Sequence, residues 1–155
     1  VLAPMIGLEQ PVRPQKGQIL VTQKTEKLIK VPMTLLRQTA EGSIMIGDSH
    51  EELGFDTSSS ADIMAQIASR AKRTLPMLEK QNIIRSWAAL RVMSPDGYPM
   101  YDQSPKYPGG FAITCHSGVT LSAVHCFELA ADIERGKLGV SVQPFTERRF
   151  DVSPT

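Results

Sequence analysis

The sequence predicts an α+β fold, a mostly antiparallel sheet with helices packed on it. Three observations carry that expectation. Short β-branched and apolar runs alternate with turn residues through much of the 155-residue chain, Ile63–Leu75 has helical apolar spacing, and 11 Gly with 11 Pro demand more turns than a helical bundle contains. At 41% hydrophobic and 21% charged residues, the chain has the apolar material for a core and is not a disordered tail.

Taken in order, Val1–Pro4 starts on an apolar run without an initiator Met, which reads as the middle of a longer chain. Gln18–Gln23 is a β-branched run after Gly17 and is expected to be a strand with a buried interior. Leu28–Leu36 is a weaker strand candidate broken by Pro32. Ser43–Gly47, following the Glu41-Gly42 turn signal, should pair with its predecessor as a hairpin. Ser59 with Asp62 three residues later resembles a capping box, and Ile63, Met64, Ile67, Ala68, Ala71 and Leu75 then place one apolar face on a helix that Pro76 stops. Ile83–Met93 should be extended and Ser94-Pro95-Asp96-Gly97 a turn, because Pro presets φ and Gly accepts positive φ. Phe111–Cys115 should be a short buried strand after Pro108-Gly109-Gly110. A second helix is expected over Val119–Glu134, apolar on nearly all sides at its start and therefore deeply buried, ending at Arg135-Gly136.

Charge and cysteine content exclude several functions. With 17 Lys+Arg against 16 Asp+Glu the net charge is +1, and no basic block exists, so no nucleic-acid partner is expected. No apolar stretch reaches the roughly 18 residues of a membrane span. Cys115 and Cys126 are too few for a disulfide framework and are not spaced as a zinc pair; His116 and His125 lie nine apart, so no metal is expected. These features predict a reduced, cytoplasmic protein. No phosphate-cradling glycine motif is present.

The chemistry concentrates in two places. His116-Ser117-Gly118 joins a strand to a helix, so its backbone N–H groups suit an anionic oxygen, although Gly118 also fits a simple tight turn. Arg91 stands in an apolar stretch and needs an anion: either a substrate carboxylate held bidentately, or a structural partner such as Asp96 or Asp102. His125 reads as a satisfied helix histidine and His116 as a wall of a site. Cys115 and His116 are neighbours on an extended chain and point to opposite faces, which excludes a Cys–His catalytic pair.

Four stretches then occur in an order and spacing that mark a family: Pro14–Thr22, Gly42–Gly47, Trp87–Pro99 and Cys115–Leu121. Over almost its whole length the chain resembles the C-terminal half of FAD-dependent oxidoreductases of the D-amino-acid oxidase superfamily. The resemblance is greatest to the branch of glycine oxidase, sarcosine oxidase beta, opine oxidase and hydrogen cyanide synthase flavoproteins.

The resemblance implies a substrate-binding domain over 1–100 and a strand-helix segment with tail over 101–155 that completes an FAD domain. The Rossmann-like half with its GxGxxG would lie outside this sequence. It implies Arg91 as the carboxylate clamp in Leu90–Gly97, where Val92 replaces the family's Pro. It also implies that His116, Ser117, Gly118, Val119 and Thr120 contact the flavin, with Cys115 where Gly is common and Tyr101-Asp102 where Ile-Gly is usual. FAD would be non-covalent, since no residue matches a flavin-linking cysteine.

The implied reaction is oxidation of the C–N bond of a D-amino acid, glycine, sarcosine, proline or opine by hydride transfer to flavin, with no residue assigned as general base. Homo-oligomers or heteromeric oxidase subunits are the implied partners, and any membrane association would run through them. The rival reading is a non-catalytic binding or assembly module. An enzyme part predicts exposed apolar surface, whereas a free-standing module predicts a closed polar one.

Overall fold

Strand β1 (Arg13–Lys24) is the spine of a four-stranded sheet in a computed structural model that describes residues 2–151. With β2 (Leu36–Gln38), β3 (Ser43–Ile46) and β4 (Ile83–Met93) it forms the order β2-β3-β1-β4. Two compact units result: Pro14–Arg91 is one, and the described residues on either side of it form the other.

Within Pro14–Arg91, β3 runs antiparallel to both β2 and β1, with Leu36 and Leu20 each opposite Ile46. The hairpin expected at Ser43 is therefore present. Gly42 sits at φ +102°, and a Cβ there would meet the Thr25 carbonyl oxygen at 2.6 Å, so the turn requires glycine. The β1–β3 register shifts between Val21 and Lys24, and there the Thr22 hydroxyl accepts the Ile44 N–H at 2.9 Å.

Leu28–Leu36 is not a strand, contrary to expectation; only Leu36–Gln38 joins the sheet. Pro32 has no N–H to give a ladder, and the Gln38 side-chain oxygen takes the Leu28 and Ile29 N–H groups instead, at 2.7 and 3.0 Å.

Helix α1 (Ala61–Thr74) starts one residue later than the capping-box reading placed it. Ser60, not Ser59, is the cap, accepting from Ile63 N at 3.5 Å, while its own N–H donates to Gln18 Oε1 at 2.9 Å. Asp62 in the first turn and Lys72 and Arg73 in the last complement the helix dipole. Its apolar face buries Ile67 and Ala71 against Leu20, Leu36, Ile44 and Ile46, and each large aliphatic so buried contributes about 1.5–3 kcal/mol. Leu78, in the short 3-10 turn Pro76–Lys80, closes this core.

The second unit pairs β5 (Met100–Gln103) with β6 (Phe111–Thr114) in an antiparallel register from Met100↔Thr114 to Gln103↔Phe111. β5 carried no sequence signal of its own. β6 is half-buried rather than buried. The second helix is built from α2 (Ser122–Val124), a π-helical turn His125–Leu129 and α3 (Ala130–Glu134).

The expected deep burial of that helix does not hold: Val119 is 91% and Phe127 82% exposed. Only one side, through Leu129 and Ile133, meets the cluster of Tyr101, Val142, Leu138 and Phe145. A helix apolar all round is buried only where elements pack on every side.

An ion network around the buried Lys16 ties the Ser49–Ser60 segment to β1. Lys16, 1% exposed, donates to Asp56 Oδ2 at 2.7 Å and to the Ser58 carbonyl at 2.9 Å, and lies 3.6 Å from Glu51 Oε2. The Lys16 hydrogen bond, with those from Ser58, pulls Asp56 from 3.8 down to about 2. Because its folded value is depressed, Asp56 stabilises the fold above its ordinary value and loses that contribution as pH falls from about 4 through about 2. Acid titration followed by circular dichroism should show Asp56→Asn flattening the loss of stability in that window; an unchanged profile would exclude the linkage.

Candidate functional site

Arg91 is on β4, and its side chain is 25% exposed. Nη1 donates to the Ser49 carbonyl at 3.0 Å and Nη2 to Asp48 Oδ2 at 2.5 Å. Asp48, 43 residues away in sequence, thus takes the place of the structural partners considered from sequence. Asp96 instead pairs with Arg149 at 2.8 Å, and Asp102 accepts from Gln10 and from the Glu147 N–H.

The guanidinium lies against the β1 backbone at Gly17. An ideal Cβ on Gly17 would sit 2.5 Å from Arg91 Nη2 and 2.6 Å from Nη1, so only glycine leaves room for the fork in this position. Gly17 appeared in the sequence motif, but only the sheet shows what it makes room for.

The acceptors for Arg91 are held in place from below. The Ser49 hydroxyl accepts the Gln18 N–H at 2.9 Å and donates to Glu51 Oε1, while Gln18 Nε2 donates to the same carboxylate at 2.9 Å. Reciprocal backbone bonds of 2.9 Å join Lys16 and Glu51. Burial is the largest single influence on the Glu51 carboxyl and raises its pKa; the Ser49 and Gln18 hydrogen bonds and the Lys16 charge outweigh it, and the net shift is downward.

Beside this segment opens a cavity of about 400 Å³, lined by Asp48, Ser49, His50 and Glu51 on one side and by Ile63, Gln66, Ile67, Ser69, Arg70 and Arg73 of α1 on the other. Arg70 donates to the Asp48 carbonyl. His50 Nε2 is 3.5 Å from Asp48 Oδ2, and Nδ1 is 2.9 Å from Gln15 Oε1.

In the other unit, His116–Thr120 follows β6. His116, Gly118, Val119 and Thr120 are exposed, and Ser117 is half-buried. Among the described residues the loop's five backbone N–H groups donate to no carbonyl, while the Ser117 carbonyl accepts from Leu121 N at 3.0 Å. A Cβ on Gly118 would meet only Cys115 Sγ, at 3.8 Å. Next to the loop, Tyr101 OH is 2.8 Å from His125 Nε2 with the rings edge-to-face, which gives His125 the partner expected of a satisfied helix histidine. Burial, then the nearby Cys115, raises the Tyr101 pKa.

Asp102 is buried and pushed up by burial, although the Glu147 N–H and Gln10 side chain partly offset this. A groove of about 570 Å³ in this unit is lined mainly by apolar residues, among them Leu2, Ile6, Val12, Val92, Phe111 and Ile113. Among the described residues no helix is long and apolar enough to cross a membrane.

Arg91 belongs to the Pro14–Arg91 unit and His116–Thr120 to the other. Sequence reasoning missed Asp48 and Ser49 as the companions of Arg91. No local signal marks them, because only strand pairing brings residues so distant in sequence together.

Comparison with known proteins identifies the family of the chain. Residues 1–132 match the family model described as FAD dependent oxidoreductase. An opine oxidase subunit of Agrobacterium tumefaciens (strain Ach5) is 49% identical over 149 residues, covering 96% of this chain and 40% of that protein. Hydrogen cyanide synthase subunit HcnC of Pseudomonas protegens is 32% identical over 154 residues, covering 96% of this chain and 37% of that protein. The chain therefore spans about two fifths of the length of these relatives.

Among solved structures, glycine oxidase from Geobacillus kaustophilus superposes with a TM-score of 0.82 at 24% identity, over 94% of this chain and 41% of that one. At that identity the likeness speaks for the fold, which is the α+β arrangement expected from the sequence. With the family model matched over most of its length and a relative at nearly half identity, the chain belongs to the FAD dependent oxidoreductase family, within the D-amino-acid oxidase superfamily.

Proposed function

We propose that this chain is the substrate-binding part of an FAD-dependent enzyme that oxidises the C–N bond of an amino acid or secondary amine. The carrying observation is Arg91: a guanidinium fork laid flat over Gly17, partly open to solvent, and steadied through Ser49 by a hydrogen-bonded network. Such a fork binds a carboxylate bidentately and fixes the neighbouring carbon, which lowers the entropic part of the barrier. Relatives named opine oxidase, hydrogen cyanide synthase and glycine oxidase support a small amine or amino acid substrate.

The residues present fit a flavin. The N–H groups of His116, Ser117, Gly118, Val119 and Thr120, which donate to no carbonyl among the described residues, would hold it where negative charge gathers on reduction, and the apolar groove beside β6 offers a wall for a planar ring. FAD, bound non-covalently, would supply the acceptor for a hydride leaving the carbon as the nitrogen lone pair forms the C=N bond. Arg91 contributes position only, and a neutral amine needs no general base from this chain.

We place residues 1–100 in substrate binding and 101–155 in flavin contact. The protein would work in the cytoplasm, in keeping with the free Cys115 and Cys126, and the relatives named as subunits of an opine oxidase support assembly with partner chains. Exposed Val119, Phe127 and Val140 favour this reading over a closed, polar binding module.

The test is anaerobic mixing of the flavoprotein that carries this chain with glycine, sarcosine, proline, D-alanine and an N-carboxyalkyl amino acid. Bleaching of flavin absorbance by at least one is expected. Bleaching by none would reject the reading.

A further inference from the structure

The Arg91 guanidinium already has a carboxylate of its own chain on it. Asp48 Oδ2 is 2.5 Å from Nη2, and the two side chains are 25% and 33% exposed, so the pair lies at a surface that solutes reach. The other terminal nitrogen, Nη1, donates to the Ser49 carbonyl. A substrate carboxylate that needs both terminal nitrogens of the fork must therefore dislodge Asp48 or accept a like charge at contact distance.

Asp48 also has somewhere to go. The cavity that Asp48 itself lines also carries His50, Arg70 and Arg73, and its other carboxylate, Glu51, is already engaged by Ser49, Gln18 and Lys16. His50 Nε2 already lies 3.5 Å from the Asp48 carboxylate. Arg70 holds the Asp48 backbone through its terminal nitrogen, while Arg70 Nε is buried and has no partner among the described residues. A buried donor without a partner is a destabilised group, and a carboxylate turned toward it would satisfy it. Gly47, just before Asp48, has open space around it. By contrast Ser49 and Glu51 are fastened to β1, so an exchange would move the Asp48 side chain and leave the Arg91 platform in place.

We propose that Asp48 is an internal, displaceable competitor for Arg91, and that it sets how tightly the site binds a substrate carboxylate. This rests on the reading of Arg91 as the carboxylate clamp. It makes Asp48 a specificity-determining residue with an unusual sign: removing its charge should strengthen the binding of anions. A residue that merely supported Arg91 would have the opposite effect.

The experiment measures equilibrium binding of propionate, and of neutral propionamide as control, to the flavin-loaded protein by calorimetry. It compares wild type with Asp48→Asn, Asp48→Ala and Arg91→Ala, and thermal melts verify that each variant is folded. Both Asp48 variants should bind propionate about tenfold more tightly, the order expected when one partly solvated like charge is removed, with propionamide unchanged. Arg91→Ala should lose propionate binding.

Unchanged or weaker propionate binding in a folded Asp48 variant, with Arg91→Ala still impaired, overturns the competitor while the clamp stands. Propionate binding that stays at the wild-type level in Asp48→Asn and weakens in Asp48→Ala would show that Asp48 only positions Arg91, and it overturns the proposal as well. If Arg91→Ala binds propionate as wild type does, the clamp fails and the competitor with it.

Discussion

Arg91→Ala in the flavin-loaded protein is expected to lower kcat/KM for its amine substrate on the order of a hundred- to a thousandfold, about 3–4 kcal/mol. The alanine removes both donors of the fork, so the carboxylate loses its charge-assisted hydrogen bonds and the reacting carbon its fixed position. Most of the loss should appear in KM, with the remainder in kcat because a loosely held substrate reaches productive geometry less often. Arg91→Lys keeps the charge but not the planar fork and should recover only part of the activity. Stability should change little, because the Arg91–Asp48 pair is partly solvated and such pairs contribute about 1 kcal/mol or less. Steady-state kinetics with a melting curve test this, and wild-type kcat/KM in the alanine variant would remove Arg91 from the site.

Gly17→Ala is expected to produce a smaller functional loss of the same kind without removing a polar group. The new Cβ would stand 2.5 Å from Nη2, 2.6 Å from Nη1 and 2.7 Å from Cζ of Arg91, so the guanidinium must leave the β1 surface. The obstructing atoms are the far end of a flexible side chain, and the Gly17 φ is one that alanine adopts, so the fold should tolerate the change at a cost of about 1 kcal/mol or less. The displaced fork would lose the Ser49 carbonyl that orients it, and kcat/KM should fall about ten- to a hundredfold with KM rising. Retention of full activity by a well-folded alanine variant would show that Arg91 works equally well lifted from the sheet. The pair Gly17→Ala with Arg91→Ala should be non-additive, since the second change removes what the first displaces.

Much of the local architecture was legible along the chain. The extended stretch at Ile83–Met93 matches β4 residue for residue, and the helical spacing from Ile63 to Leu75 became α1, its cap misplaced by a single serine. These features arise from contacts within a few residues, where periodicity and turn chemistry decide the outcome. Leu28–Leu36 failed as a strand because the side chain of Gln38, nine and ten residues further along, competed for the Ile29 and Leu28 N–H groups. β5 was invisible because Met100–Gln103 is buried through its pairing with β6 and through residues that fold back on it much later in the chain, such as Glu147 on Asp102.

The candidate site divides along the same line. That an arginine stands in an apolar stretch, that a glycine-containing loop opens the second helix, and that four motifs follow a flavoenzyme order are properties of residue type and spacing. Only the folded sheet could make Asp48 the partner of Arg91, put Gly17 beneath the guanidinium, and leave the flanks of the second helix exposed. Spacing encodes which faces are apolar and where the chain must turn. Which charge meets which, across 43 residues in the case of Asp48 and Arg91, depends on strand register and close packing, and these exist only once the strands have paired.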